Sequence, residues 1–178
     1  MGAYECAGES NEWYTPSHVF DALGVGFDED VAAPVDRTHV CVPALRFITS
    51  DSLSKTWTGF IWMNPPFGKV SGVNSQRIKR AWLAKFFDHG RGIALTPDRT
   101  SAPWFREAWE RADLVMFTPK LKFIRPDGSV GESPGTGTCL WAAGPSAVSA
   151  LRRAADRGLG IIAVPGRATQ SPATEGGE

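Results

Sequence analysis

Apolar positions in this chain fall into short continuous runs that alternate with stretches of helical spacing. Val19, Phe20 and Leu23 share one helical face, and Gly24 follows as the stop. The run from Gly26 to Pro34 reads as a buried strand ending near Asp30, Ala44 to Thr49 as a second, and Ile61 to Met63 as a third, closed by Pro and Gly. A long helix is predicted over Ser75 to His89. Its apolar face is Ile78, Ala81, Trp82, Leu83 and Phe86, with Arg77, Lys79, Arg80 and Lys85 projecting elsewhere. Gly92 to Thr96, Leu114 to Phe117, Thr138 to Ala142 and Gly160 to Val164 read as further strands. A helix starting at Ser101 carries Trp104, Phe105, Ala108 and Trp109, and another spans Pro145 to Arg157. Strands and helices alternating through one short chain predict a three-layer α/β fold.

Length and composition change this picture little. A chain of 178 residues, 42% hydrophobic, is expected to form one domain with a real core, over residues 11–165. Residues 1–10 are expected to be flexible and the Gly/Ser/Pro/Thr-rich residues 166–178 disordered. No internal repeat, membrane-length apolar run or signal pattern is present, so a soluble, intracellular (cytoplasmic) protein is expected. Cys6, Cys41 and Cys139 have neither paired nor zinc-like spacing and read as free thiols. Charge is more telling. Nine acidic and three basic side chains lie up to Thr58, and ten acidic and sixteen basic from Gly59 onwards, so a neutral total hides a basic second half.

The chemistry concentrates in Phe60-Ile61-Trp62-Met63-Asn64-Pro65-Pro66-Phe67-Gly68. Each proline restricts its own φ and pushes the residue before it towards extended geometry, so Asn64 and the Pro65 carbonyl have few alternatives. Both are acceptors, and Phe67 offers a flat face beside them. Two acceptors next to an aromatic plane suit an exocyclic amine on a planar ring, whereas a plain strand-ending turn is the competing account.

Other segments carry weaker signals. Thr15 is a good N-cap with Pro16 at the first helical position, but local structure does not explain Trp13 and Tyr14 before them, except as an aromatic staple. Asp28, Glu29 and Asp30 read either as a solvated acidic cluster or, for Asp30, as the end of a buried strand. Asp36, His39 and Cys41 are too few and too mixed for a zinc site, and Cys41 is expected to be buried in a short loop; no metal is expected. Asp51 follows the second strand, where an N-cap role competes with a ligand role.

Asn-Pro-Pro-Phe after an apolar strand resembles the catalytic motif of amino-methyltransferases, whose first position is Asn, Asp or Ser and whose last is aromatic. The order Glu12-Trp13-Tyr14-Thr15-Pro16, Phe27-Asp28 with Asp30-Val31-Ala32-Ala33, Asp51-Ser52-Leu53-Ser54 with Trp57, then Trp62-Met63-Asn64-Pro65-Pro66-Phe67 is similar to the small phage-type DNA adenine-N6 methyltransferases. The likeness runs from about Asn11 to Gly144. It implies a compact Rossmann-like fold with a mostly parallel sheet and one late antiparallel strand, a methyl donor S-adenosylmethionine, and a phage or prophage origin in a bacterial host. By the same resemblance Asn64, Pro65, Pro66 and Phe67 are catalytic, while Trp13, Tyr14, Thr15, Pro16, Asp30, Ala32, Asp51 and Asn64 surround the cofactor. There is no Gly-x-Gly after the first strand; the small Ala32 and Ala33 stand there instead. About thirty residues separate Asp30 from Asn64, the length of one βαβ unit, so some crossover helices must be short or absent.

The expected partner is double-stranded DNA. Lys69, Arg77 and Arg80, just after the motif, are candidates for phosphate contacts, with a solvated helix face as the competing account. Lys120 and Lys122 sit in Lys120-Leu121-Lys122-Phe123-Ile124-Arg125, followed by the turn signal Pro126-Asp127-Gly128; such a basic hairpin suits a DNA groove, though edge strands also carry Lys against aggregation. The alternatives are another amino substrate (RNA adenine, cytosine N4 or protein glutamine) or a non-catalytic DNA-binding module on the same fold.

Overall fold

The computed structural model describes residues 13–66, 75–132 and 135–166. Among these residues, seven strands form one sheet: β1 (Phe27–Asp30), β2 (Ala44–Phe47), β3 (Ile61–Met63), β4 (Gly92–Pro97), β5 (Leu114–Thr118), β6 (Thr138–Ala143) and β7 (Ile161–Ala163). The helices are α1 (Ser17–Leu23), α2 (Ser75–His89), α3 (Pro103–Arg111) and α4 (Pro145–Asp156), and Ser52–Ser54 makes a single 3-10 turn. The order across the sheet is β2-β1-β3-β4-β6-β5-β7. Among the described residues, no helix is long and apolar enough to cross a membrane.

The alternation inside β3 shows how the layers arise. Trp62 packs with Val19, Phe20, Leu23, Ala147 and Leu151, from α1 and α4, on one face. Ile61 and Met63, one residue either side, pack with Trp82, Phe86, Trp104 and Phe105, from α2 and α3, on the other. The sheet is therefore covered on both sides, as its continuous apolar runs predict. Phe20, Phe27 and Trp62 form an aromatic node behind β3, with Phe20 and Trp62 ring centres 4.9 Å apart.

The expectation of a mostly parallel sheet is not met; counted by paired residues, the sheet is mostly antiparallel. β2, β1, β3 and β4 pair in parallel, but the longer ladders, β4 with β6 and β5 with β6, are antiparallel, and so is β5 with β7. Two strands, not one, run against the rest. The physical reason is interleaving. α3 joins β4 to β5, and α4 joins β6 to β7, each pair leaving a gap that a strand of the other pair fills. Crossovers of one hand place their helices on opposite faces when the strands point in opposite directions, which is why α3 lies with α2 and α4 with α1.

The shortened crossovers expected between Asp30 and Asn64 are present. No helix connects β1 to β2, and only the 3-10 turn connects β2 to β3. Smaller corrections concern α2 and a loop. Ala81 is exposed, Lys79 is buried with its ammonium 6.0 Å from the Trp104 ring centre, and Cys41 is exposed.

Candidate functional site

Three neighbouring parallel strands deliver Asp30, Asn64 and the Asp51 turn to one edge of the sheet. Asp30 ends β1 and lies opposite Trp62 of β3, so Asn64, two residues further, stands just beyond it. The chain passes from β1 outwards to β2, then returns to the other side of β1 as β3. In such sheets a reversal of this kind, at the carboxyl ends of the strands, is the usual place for a ligand.

Asn64 is half-buried and its side chain turns towards the N-terminal segment. Nδ2 donates to the Trp13 carbonyl at 3.1 Å and reaches Thr15 Oγ1 at 3.4 Å. Among the described residues no donor meets Asn64 Oδ1 or the Pro65 carbonyl, so two acceptors on adjacent residues remain available. Thr15 is buried and does not cap α1, which begins after Pro16 without a side-chain cap; its hydroxyl serves Asn64 instead. Phe67 and Lys69 lie outside the described residues. Pro65 is buried and Pro66 exposed.

Asp30 is 3% exposed, and its carboxylate makes one bond among the described residues, accepting from the Ala32 N–H at 3.1 Å. Burial pushes its pKa up from 3.8 to about 7, against the opposing pull of the Ala32 N–H. The solvated acidic cluster is therefore not what forms. Asp28 Oδ2 accepts from Phe60 N, and the buried Glu29 accepts from Thr58 N at 3.1 Å, so both carboxylates clamp the turn that feeds β3. Sequence reasoning missed this role because the partners lie some thirty residues away.

Asp51 is exposed, at φ 51°, and makes no side-chain cap on the 3-10 turn. The turn behind it is held from α2. Lys85 Nζ donates to the carbonyls of Ser52, Leu53 and Lys55 and lies 4.5 Å above the Trp57 ring, while Trp57 Nε1 donates to the Ser52 carbonyl. Lys85, placed by the sequence only off the apolar face of the helix, is thus a support for Asp51.

Tyr14 is joined to the 123–131 hairpin. Tyr14 and Ile124 exchange two backbone bonds of 2.9 Å, and the Tyr14 hydroxyl donates to the Asp36 carbonyl. The hairpin turns through Gly128, whose N–H meets the Arg125 carbonyl, and Ser129 donates to Asp127, which holds that carboxyl below its ordinary range. Leu121 points inwards and Lys120 and Lys122 outwards. Arg77 is exposed on α2, but Arg80 makes a two-pronged ion pair with Glu107 of α3 at 2.7 and 2.9 Å. Among the described residues, no group of three His, Cys, Asp or Glu gathers as a metal site.

A family model for DNA N-6-adenine-methyltransferase (Dam) matches residues 6–139. The chain belongs to this family. It is accordingly a DNA adenine-N6 methyltransferase. No curated protein and no solved structure matches the chain. Family membership implies S-adenosylmethionine as methyl donor, and the residues here fit it: a buried carboxylate with an unspent oxygen at Asp30, an exposed one at Asp51, and the small Ala32 and Ala33 beside them suit hydroxyl and ammonium donors. A cavity of about 450 Å³ between Phe105, Trp109 and Phe117 lies away from the residues that the Dam-family likeness singles out.

Proposed function

We propose that Asn64 Oδ1 and the Pro65 carbonyl bind the two amine hydrogens of an adenine turned out of double-stranded DNA, with Phe67 stacked on the base. The observation that carries this reading is the pair of unengaged acceptors, two residues past the level of the buried Asp30. An adenine amine is a poor nucleophile because its lone pair is delocalised into the ring. Acceptors on both hydrogens draw the nitrogen towards tetrahedral geometry, so positioning does the work and no strong base is required. When bound, S-adenosylmethionine supplies an electrophilic sulfonium methyl. Asp30, Asp51, Ala32 and the Trp13-Tyr14-Thr15-Pro16 segment hold it, and the surplus amine proton leaves after transfer. Extruding the base costs a few kcal/mol, partly offset by stacking on Phe67.

In this reading Lys69, Arg77, Lys120 and Lys122 meet phosphates, and Arg80 joins them only if Glu107 releases it. The fold is then a compact Rossmann-like methyltransferase variant acting inside the cell, where its DNA substrate is. The test is methylation of a defined DNA followed by mass analysis of its nucleosides. N6-methyladenine is expected from the native chain and none from Asn64→Ala, whose cofactor binding in calorimetry survives. Normal labelling by Asn64→Ala would exclude the mechanism.

A further inference from the structure

We propose that Trp13 and Thr15 are positioning residues that lock the Asn64 amide with its oxygen outward, so that the site accepts only a group with hydrogens to donate. The inference rests on the reading that Asn64 receives the target amine. A side-chain amide carries an acceptor and a donor on ends of nearly equal size, and a half-turn about χ2 exchanges them. Which end faces the substrate must be set by something else. Here it is set by an atom that has no hydrogen: the Trp13 carbonyl, 3.1 Å from Asn64 Nδ2. An oxygen in that place would face another oxygen. The Thr15 hydroxyl, which both donates and accepts, supports either orientation alone but adds a second acceptor to the observed one.

The carbonyl is itself fixed. Tyr14, the next residue, exchanges two 2.9 Å backbone bonds with Ile124, and the Trp13 ring lies against Gly131, where a Cβ would come within 2.7 Å of it. The Arg125 guanidinium stands 5.9 Å from the centre of the same ring. The orientation of Asn64 is therefore carried from the 123–131 hairpin through Trp13. A ring keto group in the amine's place would confront two acceptors.

A consequence follows for the first motif position, where related motifs use Asn, Asp or Ser. In this chain Asn64→Asp is not conservative. An ionised carboxylate would set one oxygen against the Trp13 carbonyl, which raises the carboxyl pKa and pushes the side chain off its place; once protonated, that oxygen donates to the carbonyl and the hold on the outward oxygen is restored. Two readouts follow. In single-turnover methyl transfer at saturating DNA and S-adenosylmethionine, Asn64→Asp is expected to be about tenfold slower than the native chain at neutral pH, the gap closing as pH falls. Thr15→Val is expected to slow the saturated step by about threefold beyond any change in KM for S-adenosylmethionine, and Thr15→Ser to regain that loss; an effect confined to KM would leave Thr15 a cofactor contact alone and overturn its part in the lock.

The second readout needs no activity. The melting temperature of Asn64→Asp, relative to the native chain, should fall as pH rises through the mildly acidic range, because the folded state holds the proton more tightly than the unfolded one; Asn64→Ala should show no such trend. A flat trend for Asn64→Asp overturns the lock, as does a pH–rate profile parallel to that of the native chain. If the native chain fails to label adenine, the functional reading fails, and the melting trend still decides whether the amide is held.

Discussion

Asp28 Oδ2 accepts a hydrogen bond from the Phe60 backbone N–H at 2.6 Å, binding the strand that carries Asp30 to the entry of the strand that carries Asn64. Between them Gly59 sits at φ +73°, and a Cβ there would fall 2.2 Å from the same oxygen. Both the backbone conformation and the space demand glycine.

Gly59→Ala should therefore destabilise the chain by about 1–3 kcal/mol and lower the transfer rate of the folded fraction, since the Asp28 tie must open or the turn must move. Denaturant unfolding checks it. Gly135→Ala, where a Cβ meets nothing, serves as the control and should be near neutral.

Asp30 makes stability depend on pH. Its folded pKa, raised to about 7 from 3.8, means the folded state binds more protons between those values, so its contribution is favourable at the acid end and is lost as pH rises through about 7. Without cofactor, the melting temperature of the native chain should decline across this window relative to Asp30→Asn. An unchanged difference between the two proteins would contradict the buried, sparsely bonded carboxylate.

Lys85 supports Asp51 from behind. Burial lowers the pKa of its ammonium, which still donates to three carbonyls of the 52–55 turn. Lys85→Met should cost about 1–2 kcal/mol of stability, at the low end for charged hydrogen bonds because the group is still partly solvated. It should weaken S-adenosylmethionine binding in calorimetry and leave the salt dependence of DNA binding as it was.

Phosphate contact is separable residue by residue. Replacing Lys120 and Lys122 together by Ala should reduce the slope of log affinity against log salt by about 2, near 0.9 per lost contact. Arg80→Ala should change it by less than one contact, because the guanidinium is engaged with Glu107. Fluorescence anisotropy over a salt series distinguishes them; equal slopes for all variants would remove the hairpin from the DNA surface.

Much of the site was legible before folding was considered. Asn64, Pro65 and Asp30 stand at strand ends that short apolar runs and Pro/Gly stops announce, and the Pro126-Asp127-Gly128 turn does make a hairpin. Thr15 reads as a cap by local chemistry, yet a partner far along the chain claims its hydroxyl. Arg80 reads as a phosphate contact or part of a solvated face, and Lys85 only as lying off the apolar face, yet each finds acceptors on another element.

By itself, then, the amino-acid order determined which segments are strands and helices, which faces are apolar, and which acceptors end the third strand, because these depend on periodicity and on backbone restrictions within a few residues. Only the tertiary structure decided that β6 and β7 run against the other strands, that carboxylates of β1 clamp the approach to β3, and that the Asn64 amide turns its nitrogen to Trp13, 51 positions away. Such pairings depend on sheet register and crossover packing, and a local pattern carries no information about which distant polar group will arrive opposite.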